Sequence, residues 1–243
     1  MKRININKNW EFEQAEKPVI NVDLPHTWNG MDGQNGGNNY YRGKPAYSKL
    51  MKSNFTQGQK LFIELEGANS IAVVYINNSE LGVHKGGYST FRFEITKHIE
   101  SGKDFEIKIL VDNSHNEEVY PLMADFTFMG GLYRNINLLT VSPVHFDLED
   151  SGSGGVYLHQ ENVSSEEATL KIESLVKTET DYEIQTRLVD HSGSIVTGNH
   201  GKEKEIILKV DSPRLWDGVT DPYMYTLEVD LLVSGKISDF RRI

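Results

Sequence analysis

Apolar and polar residues alternate with a period of two in short runs along the chain, at 60–65, 71–76, 90–95 and 105–111. The runs are rich in Ile, Val, Phe, Leu and Tyr, so period and residue type together predict half-buried β-strands. Between them, Asn77-Asn78-Ser79-Glu80-Leu81-Gly82 and Ser101-Gly102-Lys103-Asp104 are polar clusters that reverse a chain without burying unsatisfied backbone groups. A further strand is predicted at 136–141, after which Ser142-Pro143 and the glycine and serine stretch 150–155 break the pattern. Strand patterning resumes at 155–159, 168–175, 182–189, 205–210 and 224–231. No helical period of useful length occurs. The expected class is all-β: a jelly-roll β-sandwich over 1–142, then an immunoglobulin-like β-sandwich over 143–243.

Composition sharpens this in a few places. At 243 residues two cores are affordable, and 21 glycines fit a loop-rich β architecture. A formal charge of -10 argues against a nucleic-acid partner, whose phosphates call for clustered Lys and Arg. With no cysteine, disulfides, thiolate nucleophiles and zinc-thiolate sites are excluded. No run approaches the roughly 18 apolar residues of a membrane span, so no membrane partner is expected. Residues 1–7 carry two basic side chains without an apolar core behind them, so they are not read as a signal peptide. A soluble protein is expected, with cytoplasmic and periplasmic or secreted locations both open.

Candidate chemistry concentrates in two segments. Residues 125–134 hold Asp125, Phe126, Phe128, Gly130, Gly131 and Arg134. A carboxylate for hydroxyls beside flat rings for a pyranose face is what sugar recognition requires. The loop 32–40 joins Asp32, glycines, Asn38, Asn39 and Tyr40, with amides suited to sugar hydroxyls and a ring suited to stacking. Trp10, Trp28 and Trp216 read as core anchors. His26 and His84 read as structural hydrogen-bonding residues, since neither has a second histidine at helical spacing. Ser89, His84 and Asp112 lack any nucleophile elbow and are not read as a triad.

Leu24-Pro25-His26-Thr27-Trp28-Asn29, Tyr41-Arg42-Gly43 with Tyr47, Gly67-Ala68-Asn69, Val74-Tyr75-Ile76-Asn77 and Gly86-Gly87-Tyr88-Ser89-Thr90-Phe91 fall in this order. Together they resemble the N-terminal sugar-binding domain of family 2 glycoside hydrolases, bacterial β-galactosidases in particular. Pro213-Arg214-Leu215-Trp216 with Asp221-Pro222-Tyr223-Met224-Tyr225 is similar to a pattern near the end of that family's immunoglobulin-like domain. Gly218 departs from it where proline is common, and Met224 where leucine is.

The resemblance implies a retaining glycosidase whose two catalytic glutamates lie in a (β/α)8 barrel that this chain lacks; no Glu here matches either motif. The chain is therefore expected to be the non-catalytic front of a longer enzyme, inactive by itself. The resemblance further implies that Asp125 reaches the substrate pocket. In the full-length enzyme it would do so with Na or Mg; the chain alone requires no cofactor. The expected partners are β-galactoside-type glycans and the missing barrel, with a homo-oligomer also open. A free-standing carbohydrate-binding module and a β-glucuronidase or β-mannosidase front end are the alternatives. A uronate carboxylate would call for a basic partner, and the loop after Asp32 offers none before Arg42, which leans toward a galactoside.

Overall fold

A computed structural model describes residues 1–32, 40–123, 127–178 and 180–243. Its contacts divide into two units, Lys2–Thr140 and Val141–Ile243 with Met1.

The first unit contains β1 (Lys2–Asn5), β2 (Trp10–Glu13), β3 (Ile20–Val22), β4 (Ala46–Lys52), β5 (Lys60–Leu65), β6 (Ile71–Ile76), β7 (Ser79–Lys85), β8 (Phe91–Glu94), β9 (Asp104–Asp112) and β10 (Ile136–Val141). They form a six-stranded sheet in the order β3-β2-β4-β9-β6-β7 and a four-stranded sheet in the order β1-β10-β5-β8. One core contains side chains from both: Trp10, Phe12, Tyr47, Val74 and Ile107 from the first, and Ile63, Leu65, Phe91 and Ile136 from the second. In β6 and β9 every second residue is buried, as a period of two requires when one sheet face packs and the other does not.

Strand β5 departs from that rule, because Phe62 and Glu64 are buried as well as Leu61, Ile63 and Leu65. Glu64 is tolerated there because Arg92 Nε donates to it at 2.7 Å, Asn137 Nδ2 at 3.0 Å and Arg3 Nη2 at 3.3 Å.

The turn expected at 77–82 is shorter than its composition suggested. Only Asn77 and Asn78 turn, with φ of 49° and 64°, and Ser79 already begins β7, paired with Ile76. Two consecutive left-handed residues make the tight reversal that suits twisted strands, so Glu80 to Gly82 stay in the ladder.

The second unit contains β11 (His145–Phe146), β12 (Val156–Glu161), β13 (Glu167–Ser174), β14 (Val176–Lys177), β15 (Glu183–Val189), β16 (Ile195–Gly201), β17 (Glu205–Asp211), β18 (Thr226–Val233) and β19 (Lys236–Arg242). Sheets β12-β13-β17 and β16-β15-β18-β19, with the small β11-β14 pair, enclose a core of Phe146, Leu170, Ile172, Leu188, Val210, Leu227, Val229 and Leu231. Trp216 corrects the expectation of core burial: it is 63% exposed, whereas Trp10 is 0% exposed. The reason lies in its segment. Arg214 forms a bidentate pair with Asp221 at 2.9 and 2.8 Å and lies over the Tyr223 ring, which ties residues 214–223 into a surface loop. Gly218 has φ +53°, which a proline ring cannot adopt, so the departure from the family pattern has a backbone cause.

Candidate functional site

Four connections of the first unit meet: 23–32 after β3, 40–45 before β4, 66–70 between β5 and β6, and the described parts of 113–135 between β9 and β10. Three buried asparagines, Asn29, Asn69 and Asn113, hold them together. Asn29 Nδ2 donates to Phe128 O at 3.0 Å while its Oδ1 accepts from Gly130 N at 2.9 Å. Asn69 Nδ2 donates to Met129 O at 2.8 Å, and the Asn69 backbone exchanges hydrogen bonds with Gly131 at 3.1 and 3.3 Å. Asn113 Oδ1 accepts from Gly43 N at 2.9 Å and its Nδ2 donates to Tyr41 O at 3.2 Å. An amide offers a donor and an acceptor on one rigid fork, so each of these side chains substitutes for a strand partner that irregular backbone lacks.

The Pro-His-Thr-Trp-Asn segment completes the brace. Thr27 Oγ1 donates to Gly130 O at 2.9 Å, and His26 N donates to Leu132 O at 2.8 Å. His26 Nδ1 and Tyr47 OH share a 2.8 Å hydrogen bond. Burial pushes the His26 imidazole below its ordinary range and the Tyr47 phenol above its own, against a smaller opposing contribution at Tyr47 from the Leu132 backbone. The paired glycines are required by space. A Cβ on Gly130 would sit 2.2 Å from the Trp28 ring, and Gly131 has φ +138° with His26 O 2.4 Å from where its Cβ would be.

Of the residues singled out from sequence, Asn38, Asn39, Asp125 and Phe126 lie outside the described residues. Asp32 Oδ2 accepts from Tyr41 N at 3.1 Å, which closes the loop between them. Tyr40 OH accepts from Arg42 Nη2, and the Arg42 guanidinium carbon is 4.9 Å from the Tyr40 ring centre and 5.7 Å from that of Phe128. Arg134 Nη1 donates to Glu66 O at 3.3 Å and Tyr88 O at 2.9 Å. His84 stacks on Phe91 with ring centres 4.0 Å apart and shares a 3.2 Å hydrogen bond with Ser89, while Asp112 pairs with Lys44 at 3.1 Å. Burial raises the Asp112 carboxyl, but hydrogen bonds from Ser114 and Lys44 outweigh it and hold the group below its ordinary range.

Sequence reasoning missed the three asparagines as a set. Asn29 and Asn69 stand inside quoted motifs, and Asn113 follows directly on the end of β9, where an amide commonly closes a turn. Among the described residues no group of three or more His, Asp or Glu stands close enough to hold a metal ion. No described helix is long and apolar enough to cross a membrane.

The two sandwiches and the braced sugar-type motifs define a class, the front domains of carbohydrate-processing enzymes. The family model of the glycosyl hydrolases family 2 sugar binding domain matches residues 1–142, and that of glycosyl hydrolases family 2 matches 141–242. The chain belongs to glycosyl hydrolase family 2.

It is similar to a β-glucuronidase of Bacteroides fragilis, 36% identical over 97% of this chain and 36% of that protein. It is also similar to a β-galactosidase of Thermoanaerobacter pseudethanolicus, 29% identical over 97% of this chain and 32% of that protein. Among solved structures, an FMN-binding β-glucuronidase from Facaelibacterium prausnitzii L2-6 superposes with a TM-score of 0.91 at 32% identity, covering 99% of this chain and 38% of that one. The chain thus spans about a third of the length of the curated relatives it matches.

Proposed function

We propose that this chain is the pocket-shaping, non-catalytic front of a longer family 2 enzyme that hydrolyses a terminal β-glycoside with retention, of the galactoside or glucuronide type. The observation that carries this reading is the succession of two family domains in a chain a third as long as its relatives.

Carboxylate engagement supports the same view. Retention needs two carboxyls about 5 to 5.5 Å apart, one to attack and one to protonate the leaving oxygen. Where acids cluster among the described residues, other side chains occupy them. Glu64 is held by Arg92, and Glu66 by Asn135 and Asn137. Asp147 and Glu149 share Lys177, and Glu228 and Asp230 share Arg187. Such groups are engaged by neighbouring side chains, which argues against their serving as a nucleophile and proton donor pair.

On this reading the catalytic glutamates reside in a barrel outside this sequence. Asp125, Asn38, Asn39 and Tyr40 contribute to the sugar side of the pocket, with Na or Mg as a hard cation that oxygen ligands around Asp125 would suit. Asp32 acts through the loop it closes. The test has two arms. The reading frame downstream of the Ile243 codon is expected to encode a barrel; a stop codon there overturns the proposal. Purified alone, the 243-residue chain is expected to release no nitrophenol from p-nitrophenyl β-galactoside or β-glucuronide. Turnover abolished by substituting one of its own acids would also overturn it.

A further inference from the structure

The second sandwich does not close its own core everywhere. Leu170, Leu188 and Leu227 belong to that core, yet all three line an open groove that offers about 340 Å³ of space to water. A single water takes roughly 10 to 15 Å³ on that measure, and protein interiors hold few voids larger than that, so the groove is no packing defect. Its rim is apolar as well, since Trp216, Met224 and Ile243 line it and are exposed. Apolar surface continuous with a core, on a chain of net charge -10, marks a place that other polypeptide covers.

One wall of the groove is fixed in advance. Arg214 N donates to Tyr225 OH at 2.9 Å, and the Arg214 guanidinium carbon lies 4.4 Å from the Tyr223 ring centre while its nitrogens hold Asp221. The Tyr223 and Tyr225 rings meet edge to face with centres 5.0 Å apart. Binding to such a wall costs little ordering of the groove itself.

Chain direction selects the occupant. Strands β18 and β19 pair antiparallel, with Val229 opposite Arg241 and Glu228 opposite Arg242. Leu227 and Ile243 then exchange both backbone hydrogen bonds, at 2.8 and 3.0 Å. Residues opposite one another share a face, so Ile243 stands with Leu227 on the core side. In the same register the second residue past Ile243 falls opposite Tyr225, which packs against the core and lines the groove. Polypeptide that continues from Ile243 therefore starts inside the groove, at an effective concentration that a separate molecule matches only in the millimolar range.

We propose that the groove is the docking site of the segment that follows Ile243 in the longer protein. Strand β19 runs on beside Tyr225, and apolar side chains at every second position, beginning two residues past Ile243, fill the space between Leu170, Leu188 and Trp216. This rests on the reading of the chain as the front of a longer enzyme, to which the threefold greater length of the relatives points.

The test follows the Trp216 indole resonance by protein NMR, assigned through its loss in Trp216→Phe, in the presence of a soluble paramagnetic agent. In the 243-residue chain Trp216 is exposed, and its resonance is expected to broaden. In a chain carrying the next natural residues, about ten or one strand's length, the broadening is expected to fall toward that of the buried Trp10. Aspartate in place of the second residue after Ile243 should restore it, whereas aspartate in place of the first should not, because neighbouring positions of a strand face opposite ways. If the extended chain precipitates, a synthetic peptide of the same residues added to the 243-residue chain should protect Trp216 instead.

Trp216 left exposed by both the extension and the peptide overturns the proposal, and so do equal effects of the two aspartate substitutions. Trp216 protected in the 243-residue chain itself, with the sedimentation mass of two chains, gives the groove to a second copy and overturns it too. A stop codon after Ile243 overturns this inference together with the broader reading; a reading frame that runs on while Trp216 stays exposed overturns this inference alone.

Discussion

Burial sets three asparagines of the first unit to work as braces. Asn29, Asn69 and Asn113 are buried amides that hydrogen-bond irregular backbone. Replacing Asn29 by Ala strands the buried Gly130 N and removes the donor to Phe128 O. Each buried, unsatisfied group costs about 1 to 3 kcal/mol, so Asn29→Ala is expected to lower stability by about 2 to 4 kcal/mol in urea unfolding. A loss under about 0.5 kcal/mol, the level of an ordinary surface substitution, would contradict the bracing role.

Histidine sets the pH response at the same scale. Burial depresses His26, and burial against a smaller opposing contribution from the Gly86 backbone depresses His84. A depressed folded-state pKa means that the unfolded chain binds more protons than the folded one between the folded value and about 6.5. Stability is then full above about pH 6.5 and falls as the pH drops through that window. The depressed carboxyls of Asp23, Asp112, Glu118, Asp190 and Asp221 act in the same direction, but only below the ordinary carboxylate range, about pH 4 to 4.5. Melting temperature is thus expected to decline between about pH 6.5 and 5. The double variant His26→Gln, His84→Gln should show a flatter slope there, whatever its absolute stability. An unchanged slope would exclude these two rings as the cause.

At the scale of elements, the β6–β7 hairpin gives the sharpest comparison. Asn77 and Asn78 both have positive φ, yet their side chains differ in use. Asn77 Nδ2 donates to His98 O at 2.9 Å and its Oδ1 accepts from Glu106 N at 2.9 Å, whereas the Asn78 side chain makes no hydrogen bond among the described residues. Glycine relieves the backbone at either position, so Asn78→Gly is expected to be neutral or to stabilise by up to about 1 kcal/mol. Asn77→Gly loses two side-chain hydrogen bonds and is expected to cost about 1 to 2 kcal/mol. Chemical denaturation of the two variants side by side decides it, and equal effects would show that backbone conformation alone governs the turn.

Strands β5, β6 and β10 were legible to the residue because their runs of Ile, Leu, Val and Phe, bounded by polar turns, are local. Strands β1, β4, β7 and β16 were not. Their polar and charged residues, such as Lys49 and Lys52 in β4 and Glu80 and Lys85 in β7, dilute the pattern, and what makes them strands is pairing: β1 and β4 with the distant β10 and β9, β7 and β16 with the hairpin partners β6 and β15.

At the scale of the whole molecule, each core closes within its own unit and no covalent bridge contributes, since the chain has no cysteine. A chain of residues 1–142 alone is expected to unfold cooperatively, with the far-ultraviolet signature of β-structure, because 22 buried side chains of its core come from within it. A broad, non-cooperative transition would show that its packing depends on the rest.

By itself the sequence determined the all-β class, the family and the places where chemistry gathers, because period, turn residues and motif order are properties of neighbours along the chain. Tertiary structure alone decided which polar residues are occupied. Glu64 and Glu66 stand within and just after a strand run, and their partners Arg92, Asn135 and Asn137 come from elsewhere in the chain. Whether a charge is free is a property of the space around it, and alternation along a strand carries no record of that space.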